Sequence, residues 1–145
     1  MEKIAVKILR EGAKLPTYGS PEAAGADLYA CLEEDVVIAP GKTAFVPTGF
    51  AMAVPKGCAG LIYARSSMGT KRGLAPANKV GVIDSDYRGE VMVALHNHSQ
   101  DDQTVQPGER VAQLVITPVF TPGFAETDDL TDTVRGIGGF GSTGR

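Results

Sequence analysis

Residues 44–63 read AFVPTGFAMAVPKGCAGLIY and show a pattern that runs along most of the chain. Three short apolar runs, at 44–46, 50–54 and 59–63, are separated by Pro-Thr-Gly and Pro-Lys-Gly. Proline and glycine interrupt helices and favour turns, and a short apolar run between turns is typical of a β-strand. The stretch therefore predicts three consecutive strands joined by tight turns.

The same alternation continues on both sides of this stretch. The 145 residues include 18 Gly and 9 Pro, which excludes a bundle of long helices. Many short strands at regular spacing indicate an all-β sandwich, jelly roll or barrel. Only residues 66–73 predict a helix, of two turns at most, with Ser66 as N-cap and Gly73 at its end. Further predicted strands lie at 4–9, 26–31, 36–39, 80–83, 91–95 and 111–116.

The chain length indicates one domain. From residue 121 the apolar pattern gives way to Thr, Asp and Gly. We therefore expect a β domain over residues 1–120 and, as part of the same domain, a mobile tail over residues 121–145.

Charge and cysteine usage limit the partners and the compartment. A net charge of −3 argues against a broad surface for nucleic acid or anionic membrane, and the longest uncharged stretch, between Lys42 and Lys56, is too short to span a bilayer. Cys31 and Cys58 lack metal-ligand spacing, and the first residues lack a signal-peptide layout. We expect reduced thiols, a cytoplasmic location, and neither nucleic-acid nor membrane binding.

Three carboxylates, Asp84, Asp86 and Glu90, fall within seven residues between two apolar runs. The spacing fails the calcium-loop pattern, because Arg88 and Leu95 occupy positions that need oxygen ligands. Two interpretations stay open. The segment is either a solvated hairpin turn, or it places a carboxylate at a strand end as a general base or as a partner of Mg²⁺-bound water.

Residues 135–144, RGIGGFGSTG, contain a formal GxGxxG and resemble a P-loop, but no helix follows and the P-loop lysine is missing. Consecutive glycines still let backbone N–H groups converge on phosphate oxygens, and Arg135, Ser142 and Thr143 add donors. The alternative is a disordered glycine tail. Phe140 argues against it, because a plain linker needs no aromatic side chain.

Two further clusters are weaker. Arg65, Ser66 and Ser67 stand where a predicted strand meets the predicted helix, which suits an anion but also an ordinary helix start. His96 and His98 would share one strand face, yet no third metal ligand is spaced near them, so we interpret them as surface histidines.

Five segments, in this order along the chain, resemble the five motifs of the trimeric dUTP diphosphatase (dUTPase) family. Together they span nearly the whole chain, and five ordered motifs are far more specific than any one of them. The segments are AGADL at 24–28, ARSSMG at 64–69, GVIDSDYRG at 81–89, GERVAQL at 108–114 and the glycine-rich 135–144.

The resemblance implies a jelly-roll homotrimer with three active sites at subunit interfaces. Such enzymes hydrolyse dUTP to dUMP and diphosphate with Mg²⁺, which keeps uracil out of DNA and supplies dUMP for dTMP synthesis. By this resemblance Asp84 is the general base for the water that attacks the α-phosphorus. Tyr87 packs on deoxyribose and excludes a 2′-hydroxyl. Asn78 reads uracil together with the hairpin backbone at Gly81, Val82 and Ile83.

The remaining implied residues bind phosphates or the base. Phe140 would stack over uracil. Asp27 would lie near the water shell of the metal, with no direct protein ligand to Mg²⁺. The implied phosphate-binding and tail positions are Arg65, Ser66, Ser67, Gln113, Arg135, Gly141, Ser142 and Thr143.

One motif departs from the family pattern. Ser67 stands where many dUTPases have Gly, and Arg65-Ser66-Ser67 also resembles dCTP deaminases, which share the fold. The catalytic Glu of the deaminases aligns with Ala94, which disfavours deamination. A dCTP deaminase or a bifunctional deaminase/dUTPase is therefore the alternative within this fold, and a catalytically silent nucleotide-binding trimer is the alternative from another class.

Overall fold

A computed structural model describes residues 3–144, which form twelve β-strands and one short helix. The predicted all-β class is confirmed. The elements are β1 (Val6–Ile8), β2 (Thr17–Tyr18), β3 (Ala26–Tyr29), β4 (Val36–Ile38), β5 (Thr43–Pro47), β6 (Phe50–Met52), β7 (Cys58–Tyr63), α1 (Ser66–Lys71), β8 (Leu74–Pro76), β9 (Gly81–Ile83), β10 (Met92–Asn97), β11 (Gln103–Val105) and β12 (Arg110–Pro118).

The strands pair antiparallel in four sheets that form a distorted jelly roll. The largest sheet has the order β2-β3-β12-β7-β9, and a second has the order β5-β10-β8. β1 pairs with β6, and β4 pairs with β11. One apolar core joins all four sheets, and its fully buried side chains include Leu28, Val46, Phe50, Leu95 and Val111. Aliphatic residues dominate this core, as expected for a chain without tryptophan.

Strand β12 is central in the five-stranded sheet. Gln113 lies opposite Asp27 of β3 on one side and opposite Tyr63 of β7 on the other. Directly opposed residues of antiparallel strands project from the same face. Because the neighbours Ala112 and Leu114 are buried, the row formed by Asp27, Gln113 and Tyr63 lies on the outward face of the sheet.

Three short strands escape the sequence pattern. β2 (Thr-Tyr), β8 (Leu-Ala-Pro) and β11 (Gln-Thr-Val) lack the run of several apolar residues that marks the nine predicted strands. Pro76 in β8 also reads as a turn residue, yet β8 pairs only with β10 and lies at the edge of its sheet. Edge strands tolerate proline because one side of the strand needs no hydrogen bonds.

The helix is confirmed, but its predicted cap is wrong. Arg65 is the N-cap, with extended backbone (φ −76°, ψ 145°), and no side chain caps the helix. Ser66 is the first helical residue. The Arg65 side chain is held by an ion pair with Asp27, so this contact fixes the turn in place of a serine cap. The predicted glycine end is confirmed, since Gly73 has φ +64°.

After β12, residues 119–144 contain no helix or strand. Phe120 and Phe124 are almost fully exposed. The mobility of this tail and its separation from the β domain stay predictions. Within residues 3–144, no helix has the length and apolar character needed to cross a membrane.

Candidate active site

A cleft of about 200 Å³ opens beside β9, between the turn before this strand and the loop after it. Six of its lining residues are site residues predicted from the sequence: Asn78, Gly81, Val82, Ile83, Asp84 and Tyr87. The structure thus brings together the residues predicted to contact uracil and deoxyribose, except Phe140, which is fully exposed in the tail. The other lining residues are Ile62, Glu90, Val91 and Met92.

A tight turn presents Asn78 at the cleft. The Lys79 amide donates to the Pro76 carbonyl at 3.0 Å, and Lys79 has φ +68°, an uncommon conformation for a side-chain-bearing residue. At Gly81, a Cβ would lie 3.3 Å from the Asn78 amide nitrogen and 3.2 Å from Ile62 Cβ. The absence of a side chain at Gly81 therefore leaves room for the Asn78 amide, which offers both a donor and an acceptor.

Asp84 follows β9 and begins the loop on the other side of the cleft. The Tyr87 amide donates to the Asp84 carbonyl at 3.2 Å, which closes a turn. Arg88 Nη1 donates to the carbonyls of Ser85, at 2.8 Å, and Tyr87, at 3.0 Å. The segment is a turn, but the hairpin interpretation is wrong, because β9 pairs with β7 whereas β10 pairs with β5 and β8 in another sheet. The turn exposes the Asp84 carboxylate at the cleft.

Tyr87 and Glu90 are linked within the same loop. The Tyr87 hydroxyl donates to the Glu90 carbonyl at 2.9 Å. The Glu90 carboxylate in turn accepts from Arg10 in two hydrogen bonds, one of them between Nη2 and Oε2 at 3.0 Å. The hydrogen bond and the charge of Glu90 raise the pKa of Arg10. Sequence reasoning missed this pair, because its partners lie 80 residues apart.

A second group of predicted residues surrounds Asp27. Its carboxylate lies between two guanidinium groups: Arg65 Nε donates to Oδ1 at 2.8 Å, and Arg110 Nη1 donates to Oδ2 at 3.2 Å. Gln113 Nε2 donates to the Ala64 carbonyl at 2.9 Å. Arg110 was missed as an individual residue, although it belongs to the fourth motif.

Ser66 and Ser67 are exposed at the start of α1, directly beside Arg65. Arg65, Ser66, Ser67 and Gln113 thus lie near one end of β7. This arrangement collects hydroxyl, amide and guanidinium donors, which suit phosphate oxygens.

Asp84 and the group around Asp27 lie toward opposite ends of β7. Ile83, the last residue of β9, is opposite Gly60, so the next residue, Asp84, lies near the beginning of β7. Gln113 is opposite Tyr63, the last residue of β7. From Ala59 to Arg65 the strand and its extension span roughly 16–20 Å, at about 3.3 Å per residue. One chain alone therefore holds Asp84 well away from the phosphate donors, although the cleft also reaches Ile62, which is nearer to them.

The glycine-rich tail is a third group. Arg135 Nε donates to the Gly138 carbonyl at 2.8 Å, and the Ser142 amide donates to the Gly139 carbonyl at 3.1 Å. These turns put Arg135, Ser142 and Thr143 around one open concavity. Phe140 is fully exposed, with φ +50°. Among described residues, the hydrogen bonds of segment 127–144 are all internal to it.

The histidines, the cysteines and Ala94, which the sequence analysis did not assign to the site, lie elsewhere in the fold. His96 Nδ1 lies 2.9 Å from Thr43 Oγ1. Residues 3–144 contain no group of three or more His, Cys, Asp or Glu side chains that could hold a metal ion. Cys31 and Cys58 are free and half-buried. Ala94 lies on β10, opposite Phe45.

The family model described as dUTPase matches residues 11–144. The deoxyuridine 5′-triphosphate nucleotidohydrolase of Enterobacter sp. (strain 638) is 49% identical, covering 100% of this chain and 99% of the relative. The enzyme of the same name from Desulfitobacterium hafniense (strain DSM 10664 / DCB-2) is 48% identical, covering 99% of each.

Solved structures give the same result. Staphylococcus bacteriophage 80alpha dUTPase with dUpNHpp superimposes with a TM-score of 0.87 at 27% identity, covering 100% of both chains. A mutant dUTPase from phage phi11 of S. aureus, studied for the coordination of a structural Mg(II) ion, superimposes with a TM-score of 0.78 at 25% identity, covering 88% of this chain and 98% of that one. The predicted family and its enzyme class, a nucleotide hydrolase, are confirmed: the chain belongs to the dUTPase family.

Proposed function

We propose that this protein hydrolyses dUTP to dUMP and diphosphate, and that Asp84 activates the attacking water. The observation that carries the proposal is the single cleft of about 200 Å³ lined by Asn78, Asp84 and Tyr87. An amide that can read a base edge, an aromatic ring and an exposed carboxylate thus face one space. The names of the close relatives support the same substrate.

Base recognition rests on the turn at Asn78. The Asn78 amide pairs with the polar edge of uracil, and the backbone of Gly81 and Ile83 completes the hydrogen bonds. The Tyr87 ring stands against the deoxyribose, where a 2′-hydroxyl would clash. Such a contact favours dUTP over UTP because the extra oxygen has neither room nor a partner.

Asp84 acts on a water molecule at the mouth of the cleft. The carboxylate accepts a hydrogen bond from the water, orients it toward the α-phosphorus and removes its proton as the bond to phosphorus forms. The leaving diphosphate departs on the opposite side. Positioning and electrostatic stabilisation supply most of the rate in such phosphoryl chemistry.

The triphosphate needs local positive charge, since the whole chain carries a net charge of −3. We assign phosphate contacts to Arg65, Ser66, Ser67 and Gln113 near the end of β7. The tail then closes over the nucleotide: Phe140 stacks on uracil, and the γ-phosphate accepts hydrogen bonds. The tail donors are Arg135, Gly141, Ser142 and Thr143.

The donor set fits an Mg²⁺ ion that arrives with the substrate. Mg²⁺ keeps several waters and binds through substrate phosphates with one or two carboxylates. Asp27 is the proposed contact through water, although its two oxygens already accept from Arg65 and Arg110. When bound, Mg²⁺ would neutralise phosphate charge.

We further propose a homotrimer in which each site draws on different subunits. The roughly 16–20 Å between Asp84 and the phosphate donors along β7 supports this arrangement, and so does the fully exposed Phe140. An apolar row beside the polar one, with Leu61 opposite Val82 and Val115, offers a surface for another copy. Val82 is exposed in this row, and Leu61 and Val115 are half-buried. We also propose a cytoplasmic location, which suits the two free thiols.

A substrate panel tests the proposal. Purified protein with Mg²⁺ is incubated separately with dUTP, dCTP, UTP and dTTP, and products are identified. We expect dUMP and diphosphate from dUTP alone. Ammonia release from dCTP would establish the deaminase alternative, and binding of dUTP without turnover would establish the silent trimer. Ala94 at the deaminase glutamate position favours the first outcome.

A further inference from the structure

Arg10 lies outside the five motifs and contacts Glu90, a residue that lines the cleft. It follows β1. Both carboxylate oxygens of Glu90 accept from the guanidinium group. Most exposed ion pairs contribute little, but bidentate geometry is the exception, and the Glu90 side chain is only 15% exposed.

The Arg10 backbone is itself anchored. The amides of Leu9 and Arg10 both donate to the Gly49 carbonyl, at 2.8 and 3.2 Å. The neighbouring Thr48 hydroxyl donates to the Val91 carbonyl at 2.7 Å, and the Val91 amide donates to the Phe50 carbonyl at 2.8 Å. The Glu90 side chain is therefore held by Arg10, and the backbone of the next residue, Val91, is held by Thr48 and Phe50.

The contact between Arg10 and Glu90 also affects the position of Tyr87. The Tyr87 hydroxyl donates to the Glu90 carbonyl, so movement of Glu90 moves the acceptor that holds the ring. We propose that Arg10 is a positioning residue, which fixes the Tyr87 ring through Glu90 and thereby sets the preference for dUTP over UTP. The inference rests on the proposed function, in which Tyr87 packs against the sugar.

The test measures kcat/KM for dUTP and for UTP in the full-length protein, in Arg10→Ala, in Glu90→Gln and in the double variant. The ratio of the two values should fall about fivefold to tenfold in each single variant, as expected for a lost charge-assisted hydrogen bond. In the double variant this ratio should fall no further than in either single variant, because both substitutions break the same contact between Arg10 and Glu90. Arg10→Lys, which keeps the charge but loses the bidentate geometry, should be intermediate.

Lys7→Ala is the matched control. It removes one positive charge from β1 without touching Glu90, and the ratio should stay native. A ratio within twofold of native in Arg10→Ala, or effects that multiply in the double variant, would overturn the proposal. A merely structural role would lower the unfolding midpoint and leave the ratio unchanged.

Hydrogen exchange supplies a readout that needs no turnover. The peptide covering residues 84–91 should exchange faster in Arg10→Ala than in the native protein or in Lys7→Ala, because the loop loses its outer anchor. Unchanged exchange would overturn the proposal even where the native protein turns over no dUTP. Absence of turnover would refute the proposed function instead, so the two failures are distinguishable.

Discussion

At the scale of single residues, the proposed catalysis depends on the exposed carboxylate of Asp84. The loop that carries it is fixed by its own hydrogen bonds, from Arg88 to Ser85 and Tyr87. The side chain at position 84 can therefore change without loss of the turn. Substitution of Asp84 therefore tests the carboxylate without disturbing the turn that carries it.

Asp84→Asn keeps the shape of the side chain and removes its basicity. Turnover of dUTP should fall by about 10²–10⁴, the usual contribution of a general base, while the dissociation constant stays within a few-fold of native. Single-turnover kinetics and calorimetry measure the two quantities. Asp86→Asn, in the same turn, is the matched control and should retain native turnover; near-native rates in Asp84→Asn would remove its assigned role.

At the scale of elements, the turn between β5 and β6 ties the β1 segment to the core. Gly49 has φ +78°, and a Cβ there would lie 2.7 Å from Ala13 Cβ and 2.8 Å from Cys31 Sγ. Both strain and overlap would oppose any side chain at this position. Gly41 has a similar φ of +74° but nothing within 4 Å of a Cβ.

The two glycines form a matched pair for a stability measurement. Gly41→Ala should lower the free energy of unfolding by about 1 kcal/mol, the cost of the left-handed conformation alone. Gly49→Ala adds overlap with packed side chains, and the loss should reach about 2–4 kcal/mol. Urea unfolding at constant m-value measures both. Equal losses would show that the contacts around Gly49 relax freely.

At the scale of the whole molecule, the separation along β7 predicts complementation between defective chains. Asp84→Asn and Arg65→Ala are each expected to be inactive. Random trimers refolded from an equal mixture should regain about one quarter of native activity, because a site is complete when each contributing subunit carries the right native residue. No recovery would place both residues of a site in one chain.

Deletion of residues 135–145 tests the tail in the assembled protein. The hydrogen bonds of segment 127–144 are internal to it, so the unfolding midpoint and the molecular mass in solution should stay native. The value of kcat/KM for dUTP should fall steeply, because the donors at Arg135 and Ser142 and the ring of Phe140 are lost. Static light scattering, urea unfolding and kinetics check the three outcomes. An unchanged rate would remove the tail from the mechanism.

The sequence predicts what is local and repeated. Short apolar runs between turns identify nine of the twelve strands, and the family resemblance identifies Asn78, Asp84 and Tyr87, which do share a cleft. It misses β2, β8 and β11, because none of them is a run of several apolar residues between turns. It also misses the Arg10–Glu90 pair, because nothing in either segment indicates its partner 80 residues away.

The helix cap shows a different limit. Serine before a helix is a good local signal, yet Arg65 takes the N-cap position because Asp27, from another strand, holds its side chain. A tertiary contact outweighs the local preference. The same contact engages both oxygens of Asp27 with arginines, which no pattern around residue 27 indicates.

The central place of β12 has a consequence for synthesis. β3 and β7 are joined only through β12, so the five-stranded sheet stays open until residues 110–118 have emerged from the ribosome. Until then two strand edges lie unpaired, and unpaired edges invite aggregation.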